Sequence, residues 1–204
     1  AKLELKLLAD VGLVGLPNAG KSTLISRISA AKPKIADYPF TTIVPNLGVV
    51  KFREETFVVA DMPGLIEGAS AGVGLGHQFL RHVERNRVLV HVVDAFPVDE
   101  SDPFNNYHLI EAELKAYSEE IYNRPRIIAL NKIDILPRDT FNELREKFES
   151  LGVPLCPISA VSGQGLDPFL DVVTEVLKST EPVVEAEVLT PMIVANDELF
   201  WDVE

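Results

Sequence analysis

Short apolar runs alternate along this chain with stretches whose apolar residues recur every three or four positions. The runs Val11–Gly15, Leu47–Phe52, Thr56–Asp61, Val88–Asp94, Ile127–Asn131 and Leu155–Ile158 read as strands. The stretches Gly20–Ala30, Gly74–Glu84, Tyr107–Tyr122, Thr140–Ser150 and Asp167–Lys178 read as helices. This alternation predicts a doubly wound α/β fold: a six-stranded, mostly parallel sheet with helices on both faces. Only Arg53, Glu54 and Glu55 separate the second strand from the third. That link suits a hairpin and is too short for a crossover helix, so one antiparallel edge strand is expected. Pro182 stops the last helix, and Glu181–Glu187 reads as an acidic linker. The expected division is a domain over 1–180 and a linker and tail over 181–204. The tail either packs on the domain or begins another one.

Composition narrows the class. The 204 residues are 47% hydrophobic and 25% charged, which suits one globular domain. A formal net charge of −12 argues against non-specific binding to nucleic acid or acidic membranes. No apolar stretch reaches the length of a membrane span, roughly 18 residues. The single Cys156 excludes an internal disulfide and sits in an apolar run, as a core residue does. With no signal peptide visible, the expected compartment is the cytoplasm and the expected state a monomer. The first strand begins close to Ala1, which suggests a piece of something longer.

Charge and glycine placement then point to chemistry. Gly15-Leu16-Pro17-Asn18-Ala19-Gly20-Lys21-Ser22 follows the first strand and opens the first helix at Thr23. In that context G-x-x-x-x-G-K-[ST] is a phosphate-binding loop. Its backbone N–H groups form an anion nest at a helix N-terminus. Lys21 supplies a point charge for the β- and γ-phosphates, and the Ser22 hydroxyl suits Mg²⁺. The third strand ends in Asp61-Met62-Pro63-Gly64. An aspartate at that strand end can hold Mg²⁺, and Gly64 offers a bare N–H to a γ-phosphate.

The fifth strand ends in Asn131-Lys132-Ile133-Asp134. One carboxylate, Asp134, can accept both the N1–H and the N2 amino protons of guanine. Adenine lacks both donors on that edge, and sites of this kind discriminate by about 10⁴–10⁵. The Lys132 stem can lie over the base plane with its charge in water. Asn131 can tie its loop to the phosphate loop. The sixth strand ends in Ser159-Ala160-Val161, where the Ala160 N–H can meet guanine O6.

Two further stretches are candidate switch loops. The first, Lys34 to Ile43, includes Phe40, Thr41 and Thr42 and runs on to Val44. A threonine there adds a hydroxyl to Mg²⁺ and an N–H to the γ-phosphate, and Thr42 is preferred over Thr41. The second, Leu65 to Gly76, is rich in glycine and has little intrinsic order. A γ-phosphate would order both loops and its hydrolysis would release them. Leu65 has no polar group with which to orient water. His77 and Gln78 are candidate replacements, although both also suit a helix that faces solvent or core. His82 and His91 read as structural, and no His/Cys cluster has zinc spacing.

Gly15–Ser22, Thr42, Asp61–Gly64, Asn131–Asp134 and Ser159–Val161 together resemble the five G motifs of P-loop GTPases. Three longer strings, Lys32–Thr42, Val44–Gly48 and Gly64–His82, closely resemble the Obg (CgtA) GTPases. The resemblance covers about residues 1–180. It implies binding of GTP and GDP with Mg²⁺, slow GTP hydrolysis, and a part in large ribosomal subunit maturation and growth or stress control. A further reading is a regulatory sensor that binds GDP or guanosine tetraphosphate as an inhibitor. Obg proteins are multidomain, and their glycine-rich N-terminal domain has no counterpart in this sequence. A Ras-like enzyme carries a glutamine where this chain has Leu65, so hydrolysis either needs a partner or only resets a nucleotide-gated binding module. No arginine finger is evident: Arg81, Arg85 and Arg87 lie past the second loop. Asn18 resembles the loop asparagine of potassium-activated P-loop GTPases. It either holds K⁺ beside the phosphates or supports the turn.

Overall fold

The computed structural model describes residues 9–31, 34–35, 46–62 and 86–180. Its strands are β1 (Val11–Val14), β2 (Lys34–Ile35), β3 (Asn46–Phe52), β4 (Glu55–Asp61), β5 (Val88–Asp94), β6 (Arg126–Asn131) and β7 (Leu155–Pro157). Its helices are α1 (Lys21–Ile28), α2 (Pro103–Tyr117), the single turn α3 (Glu119–Tyr122), α4 (Arg138–Glu149) and α5 (Leu166–Ser179). All six expected strands are present, within a residue of the expected bounds. The seventh, β2, is two residues that pair with β3. The expected helix Tyr107–Tyr122 begins four residues earlier, at Pro103, and is cut at Ser118. Asp102 caps it, its side chain accepting from the Phe104 and Asn105 N–H groups, and Pro103 fits the first turn. The expected helix Gly74–Glu84 and the tail 181–204 lie outside the described residues.

The sheet order is β2-β3-β4-β1-β5-β6-β7. Strands β4, β1, β5, β6 and β7 run parallel, while β3 is antiparallel to β4 as the short Arg53–Glu54 turn requires. Period-two alternation divides the core. Val88, Val90, Val92, Ile127 and Ala129 face α1 and α5, where Leu24, Ile25, Phe169, Leu170 and Val173 meet them. Leu89 with Ile110, Leu114 and Ile121 builds the opposite face under α2 and α3. Val93, Ile128 and Leu130 do the same with Tyr107, Leu144 and Phe148 under α2 and α4. Strand β1 is the centre of this plan, because consecutive strands depart from it in opposite directions. The cleft at its C-terminal end is where open α/β sheets bind ligands.

At the other end of the strands, Arg87 joins chain entry to the last helix. Its Nη2 donates to the Leu177 carbonyl in the last turn of α5 at 2.6 Å and to the carbonyl of its C-cap, Thr180, at 2.7 Å. Its backbone N–H donates to the Asp10 carbonyl at 2.8 Å. Among the described residues no helix is long and apolar enough to cross a membrane.

Candidate functional site

The loop after β1 turns where a side chain has no room. Gly15 has φ +148°, and a Cβ there would sit 2.3 Å from the Val92 carbonyl oxygen of β5. Gly20 has φ +97°, and its Cβ would meet Asn131 Nδ2 at 2.3 Å. Both glycines are therefore required by close approach as well as by conformation. Asn18 lies between them, exposed and in the left-handed region at φ 63°, as a turn asparagine does. Ala19 is buried, Leu16 packs on the core, and Pro17 and Thr23 are exposed. Gly20 begins α1 without a side-chain cap, leaving the first-turn N–H groups directed at the loop.

Three side chains fill the loop. Lys21 Nζ donates to the carbonyls of Gly15 and Leu16 at 2.9 and 3.1 Å. Ser22 Oγ donates to Asp61 Oδ2 at 3.0 Å across the ends of β4 and α1. Asp61 is 5% exposed, and its Oδ1 is buried with no hydrogen-bond partner among the described residues. Two hard oxygen donors meet there, one with an unused buried valence, and this donor set fits Mg²⁺. Met62 is buried, and its N–H continues the sheet to Leu13.

Asn131 joins this loop to the rest of the site. Its Nδ2 donates to the Ala19 carbonyl at 2.8 Å, and its Oδ1 accepts from the Ala160 N–H at 3.0 Å. One buried amide thus aligns three loops. The Ala160 N–H, expected at guanine O6, is donated to Asn131 here. Ser159 is fully buried and shapes the turn: its Oγ accepts from the Ser162 N–H at 3.0 Å. Val161 is 73% exposed beside it. The Ile133 N–H donates to the Ile158 carbonyl at 3.3 Å and seats the short turn Ile133–Ile135. That turn presents Asp134 exposed at the rim.

Lys132 departs from expectation. Its ammonium is not left in water but pairs with Asp94 Oδ2 at 2.5 Å. Asp94 closes β5 beside Asn131 in register, and sequence reasoning missed it. The signal was there: a carboxylate ends the apolar run Val88–Val93. Its partner could not be seen without the sheet order.

Beneath the loop, His91 of β5 is buried and stacks on Tyr107 with centroids 4.6 Å apart. Its Nδ1 lies 3.2 Å from Glu111 Oε1, while Arg126 pairs with the other oxygen of that carboxylate. Burial, then the Arg126 guanidinium and Lys21, push the imidazole pKa down to about 3, so the ring is neutral. Cys156 is buried in the core and its thiol is pushed up to about 11 by desolvation, as a structural cysteine requires. Arg87 lies at the far end of the sheet and is no finger for this site. Phe40, Thr41, Thr42, Ile43, Val44, Pro63, Gly64, Leu65, His77 and Gln78 lie outside the described residues, as do Arg81 and Arg85.

Residues 10–132 match the family described as 50S ribosome-binding GTPase. The chain is 58% identical over 181 residues to GTPase Obg of Herpetosiphon aurantiacus, covering 87% of this chain and 41% of that protein. It is 59% identical over 179 residues to GTPase Obg of Anaeromyxobacter sp. (strain K), covering 86% of this chain and 51% of that one. The chain therefore spans about half the length of the curated relatives it matches. In structure it is similar to the G domain of the T. maritima FeoB iron transporter, with a TM-score of 0.61 and 22% identity. That match covers 83% of this chain and 99% of the FeoB one, and it speaks for the fold alone.

Proposed function

The chain belongs to the Obg family of P-loop GTPases, and from that premise we propose that it binds GTP and GDP with Mg²⁺ and hydrolyses GTP to GDP and phosphate. The observation that carries this reading is the Asn131 side chain, which ties the phosphate loop at Ala19 to the base-side turn at Ala160. A nucleoside polyphosphate spans those two regions. Asp134 reads the N1 and N2 protons of guanine, and adenine would leave its carboxylate unpaired. The loop N–H groups of Asn18–Ser22 cradle the phosphates at the start of α1. Lys21 stands over the loop and brings a positive charge to the β- and γ-phosphate oxygens.

Ser22 and Asp61 are the residues that would hold Mg²⁺, with Thr42 as a third ligand. Bound there, the ion would neutralise charge on the β- and γ-phosphate oxygens. In hydrolysis a water oxygen attacks the γ-phosphorus in line. The bond to the β–γ bridging oxygen breaks, GDP leaves with that oxygen, and the water protons go to phosphate and solvent. Thr42 and Gly64 donate N–H groups to the γ-phosphoryl oxygens. The Asn18 amide oxygen is placed on the same loop and is offered to K⁺.

A second reading rests on Leu65, which has no polar group to hold the attacking water. In that reading the GTP state gates binding to the large ribosomal subunit, with guanosine tetraphosphate as a competing ligand, and turnover resets the state. The test is single-turnover GTP hydrolysis by the chain in K⁺ and in Na⁺, with and without large ribosomal subunits. Stimulation by subunits supports a partner-completed enzyme, and GTP-dependent binding without stimulation supports the gated module. Failure to bind GDP at all in a fluorescence titration overturns both.

A further inference from the structure

Asp94 holds the ammonium of Lys132 at a point fixed from two sides. Its Oδ2 takes Lys132 Nζ at 2.5 Å, and its Oδ1 accepts from the Phe96 N–H at 2.9 Å. Each carboxylate oxygen thus has a partner within the protein. The carboxylate side chain is 14% exposed and the lysine side chain 26%. Asp94 is also aligned through the sheet: it is the register partner of Asn131, and the next N–H, of Ala95, donates to the Asn131 carbonyl at 2.9 Å.

The other end of Lys132 is fixed as well. Its backbone is left-handed, φ 69°, a conformation that a lysine adopts only where its surroundings hold it. The peptide before it is tied to β5 through that Asn131 carbonyl, and the Ile133 N–H after it is tied to Ile158. A free lysine side chain loses much rotamer freedom when a ligand orders it. Here the side chain is held at its Cα by a left-handed backbone and at its Nζ by Asp94, so part of that freedom is already lost.

We propose that Asp94 is the positioning residue for the purine: by holding Lys132 it pre-sets the apolar surface on which the base lies. The proposal rests on the guanine-nucleotide reading above and adds a residue of β5 to it. Asp94 acts through Lys132 and does not touch the nucleotide. Its removal weakens guanine nucleotides by a common factor whatever their phosphate number. It leaves the choice of guanine over hypoxanthine, which Asp134 makes, unchanged.

The experiment measures GMP, GDP and IDP affinities of the chain Ala1–Glu204 by competition against a fluorescent GDP. Asp94→Asn, which keeps an acceptor for the Phe96 N–H, is made alone and in a Lys132→Met background that retains an apolar stem without the ammonium. Asp94→Asn is expected to weaken GMP and GDP by a similar factor of about ten, the loss of one charge-assisted bond's worth of pre-organisation. The GDP-to-IDP ratio is expected to hold. In the Lys132→Met background the same substitution is expected to change nothing further. Wild-type GDP affinity in Asp94→Asn overturns the inference, and so does an equal loss in both backgrounds. If Asp94→Asn does not fold, Asp94→Glu is read in its place: a weakened GDP complex is expected, and wild-type affinity overturns. A wild-type chain that binds no guanine nucleotide overturns this inference together with the reading beneath it. Normal wild-type binding with an unaffected variant overturns this inference alone.

Discussion

The two ends of the parallel strands use polar groups in different ways. At the N-terminal end, Arg87 spends its guanidinium on the last carbonyls of α5, and Asp10 Oδ2 accepts from the Val58 N–H at 2.9 Å. Those bonds fasten one element to another and terminate inside the protein. At the C-terminal end, Ser22 bonds to Asp61, Lys132 to Asp94, and Asn131 to loop backbone, and the loops so held are strained. Asn18 and Lys132 are left-handed, Gly15 and Gly20 admit no Cβ, and Asp61 Oδ1 is buried with an open valence. The first end fastens elements together, and it too has a left-handed residue, Arg53 at φ 54° in the β3–β4 turn, and a buried Arg87 Nε without a hydrogen-bond partner among the described residues. The second differs in its chemistry: glycines that admit no Cβ shape an anion nest, and an open carboxylate valence lies beside a hydroxyl.

The comparison is broken most sharply at Asp134. Asn in its place presents an NH2 donor where guanine also presents one, whereas xanthine has a carbonyl there that accepts from that NH2 while its N1–H donates to the Asn Oδ1. Asp134→Asn is expected to swing the GDP-to-XDP preference by about 10⁴. Because Asp134 is exposed, the unfolding free energy is expected to move by no more than about 0.5 kcal/mol. Competition binding and urea unfolding of the same preparation check both halves. An unchanged preference would mean that Asp134 does not read the base.

The reciprocal variant is Arg87→Ala. It removes charge-assisted bonds to two carbonyls from a side chain that is only 20% exposed. A loss of about 2–3 kcal/mol in urea unfolding is expected, with GDP affinity unchanged under native conditions. A GDP affinity that falls with it would show that the two ends are coupled through the sheet rather than independent.

His91 lies between the ends, under the phosphate loop, and its effect is smaller. Its folded pKa of about 3 lies well below the ordinary 6.5. The unfolded chain therefore takes up a proton that the folded ring refuses. The stability that the neutral ring contributes is complete above pH 6.5 and is lost as pH falls toward 3. The slope is up to about 1.4 kcal/mol per pH unit. Glu111 does not reverse this, because Arg126 already neutralises that carboxylate. His91→Gln is expected to flatten unfolding free energy against pH between pH 6.5 and 5, where few carboxylates titrate. An unaltered slope would place the acid sensitivity elsewhere.

Much of this molecule was legible as a string. Short apolar runs marked the six strands, because a strand buried on both sheet faces is apolar at consecutive residues. The short Arg53–Glu54 link required an antiparallel pair because no helix fits it. Gly15–Ser22 and Asn131–Asp134 announced their chemistry because a phosphate nest and a purine edge each need particular atoms at fixed chain spacing. The start of α2 at Pro103 was missed although Asp102 and Pro103 are a readable cap. The apolar pattern begins only at Tyr107, so periodicity located the packed face and not the end.

What only the fold decided are the meetings between distant strand ends. Asp94 and Lys132 are 38 positions apart, and Asn131 and Ala19 are 112 apart. Their contact depends on β5 lying between β1 and β6, which a one-dimensional pattern does not state. The same holds for the Ala160 N–H, which its motif could offer to the base and which bonds to Asn131, and for Arg87, whose bonds to the end of α5 nothing in its chain position states. Spacing along a chain specifies which atoms a segment can offer. Which partner takes them is settled by sheet order and burial, because a buried donor bonds to the nearest acceptor the fold supplies.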